Sequence, residues 1–318
     1  MRLGSESQFV YSAKEKNMPY LYMREYIMRE FSTKAYAKIN LGLDVVRKRD
    51  DGYHELRTIM QTINLYDTIY IKTIKDDKII LQTDKNFLPT DERNIAYKAA
   101  ALMKEKYSIK EGVFIDIQKN IPVAAGMAGG STDAAATLYG MSKLFELSVT
   151  PEELMKLGTG LGADVPYCIM KGTALAEGIG EILTRVSPMP ECYVLTVKPE
   201  VNVSTKQVYE DLHLNECIRH PDIDGLLREL EKGNLEGVCS KFGNVLETVT
   251  EKQHPIISEY KRKMLEYGAI NSMMSGSGPS VFGIFKTREG ASEAQRKILS
   301  KLTDIRVQSN VSCIHNVK

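Results

Sequence analysis

Residues 121–136 carry the pattern best suited to hold a charged ligand, because an apolar, strand-like run gives way there to glycines and then to a good helix former. Gly126, Ala128, Gly129 and Gly130 leave a row of amide N–H groups bare, and a helix beginning near Ser131 adds the positive end of its dipole. Bare amides ahead of a helix make an anion cradle, and phosphate is the usual occupant. The same glycines also suit a close-packed turn that only lets helix and strand approach one another. Other residues with chemistry to offer lie elsewhere in the chain. Lys38 and Asn40 share one face of a strand by the two-residue repeat, which suits a ligand or a solvated sheet face. Tyr53 and His54 follow the tight-turn signal Asp51-Gly52 and read from spacing alone as packing and hydrogen-bonding residues. Asp164, two residues before Pro166, reads on the same terms as a helix N-cap.

Those residues need a sizeable scaffold, and 318 residues supply one, with two domains as the default. A hydrophobic share of 43% and a charged share of 26% fit an ordinary soluble globular chain. The net charge of +1, from 42 basic and 41 acidic residues, argues against a whole-molecule field for nucleic acid or anionic membrane. Five scattered cysteines, Cys168, Cys192, Cys217, Cys239 and Cys313, show no zinc spacing and read as reduced thiols in a cytosol. His54-Glu55 starts like a metalloprotease motif, but Thr58 stands at the closing position and ends that reading. No apolar run reaches membrane-spanning length, and charges interrupt any signal-peptide pattern before Phe31.

Periodicity predicts strands over 31–46, 54–64, 68–74 and 78–83, a meander of mostly antiparallel strands. A helix over 94–107 then precedes the strand 113–119 that feeds the glycine loop, and the helix after the loop runs to about 147. Thr150-Pro-Glu-Glu153 is a capping box with proline in the first turn, which marks a third helix start. Short strands follow at 173–176 and 178–186, and Ser187-Pro-Met-Pro190 is the linker signal that places a domain boundary. Beyond it the expected order is strand 193–198, helix 205–212, helical patterns at 226–231, 235–246 and 256–267, then strand 270–274, strand 281–285, helix 290–302 and strand 305–314. That closing order resembles a split βαβ, ferredoxin-like unit with extra helices.

The sequence lacks the P-loop Gly-Lys-Ser/Thr, the protein-kinase elements and the dinucleotide fingerprint. Ala37-Lys-Ile-Asn-Leu41, residues 122–132 and Met274-Ser-Gly-Ser-Gly-Pro279, in that order, resemble the three motifs of the GHMP small-molecule kinases, named for galactose, homoserine, mevalonate and phosphomevalonate. Gly52-Tyr53-His54, with residues 160–166 and 176–181, is similar to a branch of the family whose acceptor carries a cytosine ring. The resemblance implies an α+β, two-domain fold. After an N-terminal extension at 1–30, residues 31–187 would form a ribosomal-protein-S5-like nucleotide-binding domain and 188–318 a ferredoxin-like substrate domain.

It further implies phosphoryl transfer from ATP, with Mg²⁺, to an alcohol. Pro122, Val123, Ala124, Ala125, Gly126, Met127, Ala128, Gly129, Gly130, Ser131 and Thr132 would hold the nucleotide phosphates, with Asn94 and Lys119 near the nucleotide. Ser131 or Thr132 would offer Mg²⁺ a hydroxyl, and no side-chain cluster is assigned to a metal. Asp164 would be the general base, Lys38 its charged partner, and Asn40 the group that positions the alcohol. Tyr53 would stack on the base, His54 would read its edge, Tyr209 would cover its other face and Thr205 would lie beside the substrate. Ala124, Ala125 and Ala128 stand where some members have glycine. The implied protein is cytoplasmic, acts on a small molecule without nucleic acid or membrane, and works as a monomer or weak homodimer. Another GHMP kinase acting on mevalonate, homoserine or a sugar, or a non-catalytic nucleotide- or RNA-binding homologue, is the alternative.

Overall fold

A computed structural model describes residues 28–214, 220–300 and 308–316. Most of the expected N-terminal extension, Cys217 and the 301–307 stretch of the last expected helix and strand lie outside those residues. The frame is a hairpin of two long strands, β1 (Glu30–Lys48) and β2 (His54–Ile74). Where two strands were expected, at 54–64 and 68–74, β2 runs unbroken, because Tyr66 and Asp67 pair with Tyr36 and Ala35 of β1 like their neighbours. The polar Asp67 reads as a break but is fully buried.

The meander is corrected too. β3 (Ile79–Thr83) is joined through helix α1 (Ile95–Lys106) to β4 (Gly112–Gln118), and the two strands pair in parallel. A helical crossover brings the chain back in the same direction, so β4 rather than β3 lies antiparallel on the second half of β2. Three helices follow: α2 (Gly129–Leu144), α3 (Pro151–Thr159), which carries the predicted capping box, and α4 (Val165–Met170). The hairpin of β5 (Thr173–Gly178) and β6 (Ile182–Arg185) pairs through β5 with the first half of β2. Helices α1 and α2 cover one sheet face through Ala99, Met103 and Leu138 on Ile69, Ile71 and Ile115.

A second sheet begins with β7 (Tyr193–Lys198), followed by α5 (Thr205–Glu210), α6 (Ile223–Glu231) and α7 (Leu235–Ser240). The helical pattern expected over 235–246 stops at Ser240, and β8 (Gly243–Asn244) instead joins β1 in parallel. Then come α8 (Glu247–Gln253), α9 (Ile256–Glu266), β9 (Asn271–Met274), β10 (Val281–Phe285), α10 (Arg288–Ser300) and β11 (Gln308–Cys313). The order β11-β7-β10-β9, antiparallel throughout, is the ferredoxin-like arrangement that the sequence implied. Ile39, Leu41, Ile59 and Ile63 from the first sheet pack on Met273, Phe282 and Ile284 of the second, which joins the halves through one apolar seam. Among the described residues no helix is long and apolar enough to cross a membrane.

Candidate active site

A cavity of about 890 Å³ opens where the glycine loop, β1, the β1–β2 turn, the start of α4, α5 and the Ser275–Ser280 turn meet. Its floor is polar and comes from β1. Bulges in the β1–β2 ladder flank Lys38 and Asn40, and such irregularities re-aim side chains. Lys38 is buried and donates from Nζ to Asn40 Oδ1 at 2.8 Å. Asn40 Nδ2 donates to Thr58 Oγ1 at 2.9 Å, and the Thr58 hydroxyl donates to Gly42 O at 2.6 Å. This chain of bonds fixes the orientation of the Asn40 amide and keeps its carbonyl on the lysine.

Asp164 faces Lys38 across the floor, with Oδ2 3.9 Å from Nζ. The N-cap reading of Asp164 fails: its backbone is helical and its side chain makes no capping bond. The carboxylate is about a third exposed and points at the cavity rather than at the helix it precedes. Two groups beside it feel burial and the carboxylate together, and both the Tyr209 phenol and the Cys168 thiol are pushed well above their ordinary pKa.

Above the floor lies the cradle. Helix α2 starts at Gly129, two residues earlier than expected, and its N-cap Ala128 makes no side-chain capping bond. The first amides of a sixteen-residue helix therefore open on the cavity through Gly129, Gly130 and Ser131, which line it. The glycines divide the two readings between them. A Cβ on Gly126 would sit 2.1 Å from Ser275 O, so that glycine is there for close packing of two loops. A Cβ on Gly130 would meet Ile95 Cδ1 at 3.7 Å, an ordinary contact, so packing does not demand glycine there. Ala124 and Ala128, standing where glycine was expected, both take left-handed backbone with φ 51° and 58°.

The third rim is aromatic. Tyr53, His54 and Tyr209 line one end, with the His54 and Tyr209 rings 5.1 Å apart and tilted by 35°. Partial burial, and the charge of Lys48, hold the His54 pKa below its ordinary value, so its ring is neutral at pH 7. Thr205 lines the same end and shares a hydrogen bond of 2.7 Å with Ser277 Oγ.

Of the residues assigned from sequence, Lys38, Asn40, Tyr53, His54, Ala124, Ala125, Gly126, Ala128, Gly129, Gly130, Ser131, Asp164, Thr205 and Tyr209 meet on this one cavity. Pro122, Val123 and Met127 of the loop and Thr132 of α2 are not on the cavity wall. Asn94 is not on the wall either, and its side chain is spent as the N-cap of α1 on Ala96 N, and on Pro89 O. Lys119 lies beneath the loop, buried, with Nζ ion-paired to Asp67 and to Asp133. Residues that the assignment omitted are Thr58, Gly276, Ser277 and Asn244. Asn244 Nδ2 donates to Met274 O and Gly276 O and so fixes the Ser275–Ser280 turn. Gly276 and Ser277 sit in a glycine turn visible in the sequence, and Thr58 has the two-residue spacing from Met60 and Leu56 that strands show; Asn244 carries no sequence signal.

Comparison with known proteins matches this geometry to a family. The model for the GHMP kinases N terminal domain matches residues 94–172, and that for the GHMP kinases C terminal matches 214–304. A 4-diphosphocytidyl-2-C-methyl-D-erythritol kinase of Lachnoclostridium phytofermentans is 55% identical over 83% of this chain and 90% of its own. This chain belongs to the GHMP kinase family. A protein of the same name from Clostridium botulinum strain Alaska E43 is 52% identical over 86% of this chain and 97% of its own. The crystal structure of a 4-(cytidine 5'-diphospho)-2C-methyl-D-erythritol kinase superposes with a TM-score of 0.78 at 29% identity, covering 90% of this chain and all of that one. Homoserine kinase from Cytophaga hutchinsonii, at 19% identity and a TM-score of 0.73, shares the GHMP fold over 90% of this chain and 95% of its own.

Proposed function

We propose that this GHMP kinase transfers the terminal phosphoryl group of ATP to the 2-hydroxyl of 4-diphosphocytidyl-2-C-methyl-D-erythritol, a reaction of non-mevalonate isoprenoid precursor synthesis. The observation that carries this reading is the Lys38–Asp164 pair, 3.9 Å apart, on the floor between an uncapped helix start and an aromatic rim. Phosphoryl transfer needs alignment and charge neutralisation more than covalent help, and the cavity offers residues for each.

The amides at Gly129, Gly130 and Ser131 would receive phosphate oxygens. Asp164 would accept the proton of the attacking hydroxyl, and Lys38 would keep that carboxylate ionised and meet charge growing on the reacting oxygen. Asn40, locked by Thr58, would orient the alcohol. Tyr53 and Tyr209 would hold the pyrimidine between their faces while neutral His54 bonds to its edge. Among the described residues no group of three His, Cys, Asp or Glu side chains could hold a metal alone. The donor set fits a Mg²⁺ that is held mainly by nucleotide oxygens and waters, with the Ser131 hydroxyl as its protein contact. Such an ion would neutralise the phosphate charge.

An ADP-release assay tests the proposal with the cytidylyl methylerythritol diphosphate, mevalonate and homoserine offered in turn. Turnover with the first and none with the others is expected. Turnover with mevalonate or homoserine alone would overturn the substrate assignment.

A further inference from the structure

The glycine loop is tied at both ends to one buried ion cluster that the chemistry above does not use. At its entry, Asp67 Oδ1 accepts from Asn120 N at 2.6 Å and from Ile121 N at 2.8 Å. Beyond its exit, Asp133, the fifth residue of α2, accepts from Lys119 Nζ at 2.7 Å. Lys119 also pairs with Asp67 Oδ2, which closes the circuit. All three side chains are buried, at 3% exposure for Lys119, 0% for Asp67 and 7% for Asp133. The ammonium lies directly under the cradle, since a Cβ on Gly129 would stand 3.4 Å from Lys119 Nζ.

We propose that Asp67, Lys119 and Asp133 form a clasp that sets the distance between the two ends of the nucleotide loop, with Lys119 and Asp133 as positioning residues for the amides that hold phosphate. The proposal rests on the nucleotide reading of that loop. Two features mark the clasp as more than a folding element. Asp67 is satisfied without Asp133, by two amides and the lysine, so a simple buried pair would already be complete. Asp133 brings a second carboxyl group into the interior and leaves its Oδ1 without a hydrogen-bond partner, and burial together with the nearby Asp67 pushes its pKa well above the ordinary value. A buried carboxyl group that is only partly hydrogen-bonded costs stability, and what it adds is the tether on the exit side of the loop.

The test separates tethering from folding. Asp133→Ala cuts the exit tether while leaving the Asp67–Lys119 pair neutral overall, so the protein should stay folded with an unfolding temperature at or above that of the parent. Its affinity for ATP, read by titration calorimetry without acceptor, should fall about tenfold or more, while acceptor KM stays within about twofold, because Tyr53, His54 and Tyr209 stand on other elements. Asp133→Asn keeps an oxygen for Lys119 and should restore most of the affinity. Unchanged ATP affinity in Asp133→Ala, equal losses for ATP and acceptor, or no rescue by Asn would overturn the clasp. A parent protein that binds no ATP at all would instead sink the nucleotide reading beneath it, and the same calorimetry on the parent distinguishes the two failures.

Discussion

Two lysines among the described residues are buried, and they are treated in opposite ways. Lys119 is saturated: two carboxylates close on its ammonium in the interior, and although burial works against the charge, Asp133 and Asp67 hold its pKa above the ordinary value. Lys38, at 5% exposure, has one neutral partner in Asn40 and one carboxylate still 3.9 Å away on the cavity floor. An ammonium closed in by two carboxylates has its charge compensated and holds structure together. An under-coordinated one, facing a partly exposed carboxylate across open space, has donor capacity that a reacting oxygen can take up. The difference between scaffold and chemistry lies in what each charge still lacks, since both lysines are buried.

Removing chemistry without removing structure is the sharpest way to break that comparison. Asp164→Asn should lower kcat by about 10² to 10⁴-fold, up to roughly 5 kcal/mol of barrier, with ATP affinity nearly unchanged. Lys38→Met should cost a similar factor in rate and lower the unfolding free energy by about 1–3 kcal/mol, since Asn40 Oδ1 loses its donor while Asp164 keeps access to water. Single-turnover kinetics with denaturant titration reads both quantities. A variant that unfolds in step with its loss of rate would put Lys38 in the class of Lys119.

The converse holds for the other lysine. Lys119→Met leaves Asp67 and Asp133 facing one another in the interior, and an uncompensated buried charge costs about 3–5 kcal/mol. Denaturant unfolding should show that loss, larger than for any substitution on the cavity floor. A loss below about 1 kcal/mol would mean that the pair adds nothing to the scaffold and that the contrast between the lysines is false.

How far each lysine could be read from sequence follows from the same contrast. The two-residue repeat placed Lys38 and Asn40 on one strand face because local geometry alone decides that. The capping box at Thr150 and the ferredoxin-like strand order were legible for the same reason: each is written in neighbouring residues. The partners of Lys119 were not legible, because Asp67 and Asp133 lie 52 and 14 residues away along the chain and no local pattern links them. The same distance hid the continuity of β2 through Asp67 and the parallel pairing of β3 with β4. Asp164 was the opposite case. Its local context offered a complete explanation as an N-cap, and only the approach of Lys38 from a strand more than a hundred residues earlier shows what the carboxylate faces.

The smallest expected effect concerns the acceptor end, where neither lysine takes part. Burial and the nearby Lys48 charge keep His54 below its ordinary pKa of 6.5, so the folded ring resists protonation more than the unfolded one. As pH falls below 6.5 the unfolded chain binds the proton first, and stability declines until the folded pKa is reached; above 6.5 the group contributes no pH dependence. Binding should follow the same sign, since a protonated ring loses the acceptor nitrogen that a base edge can use. The KM for the cytidine acceptor should therefore rise severalfold between pH 7 and 5.5 while that for ATP stays level, and His54→Gln should flatten the acceptor profile. If the rise persists in the Gln variant, the titrating group belongs to the floor, and the division of the cavity into a phosphate end and a base-reading end would have to be redrawn.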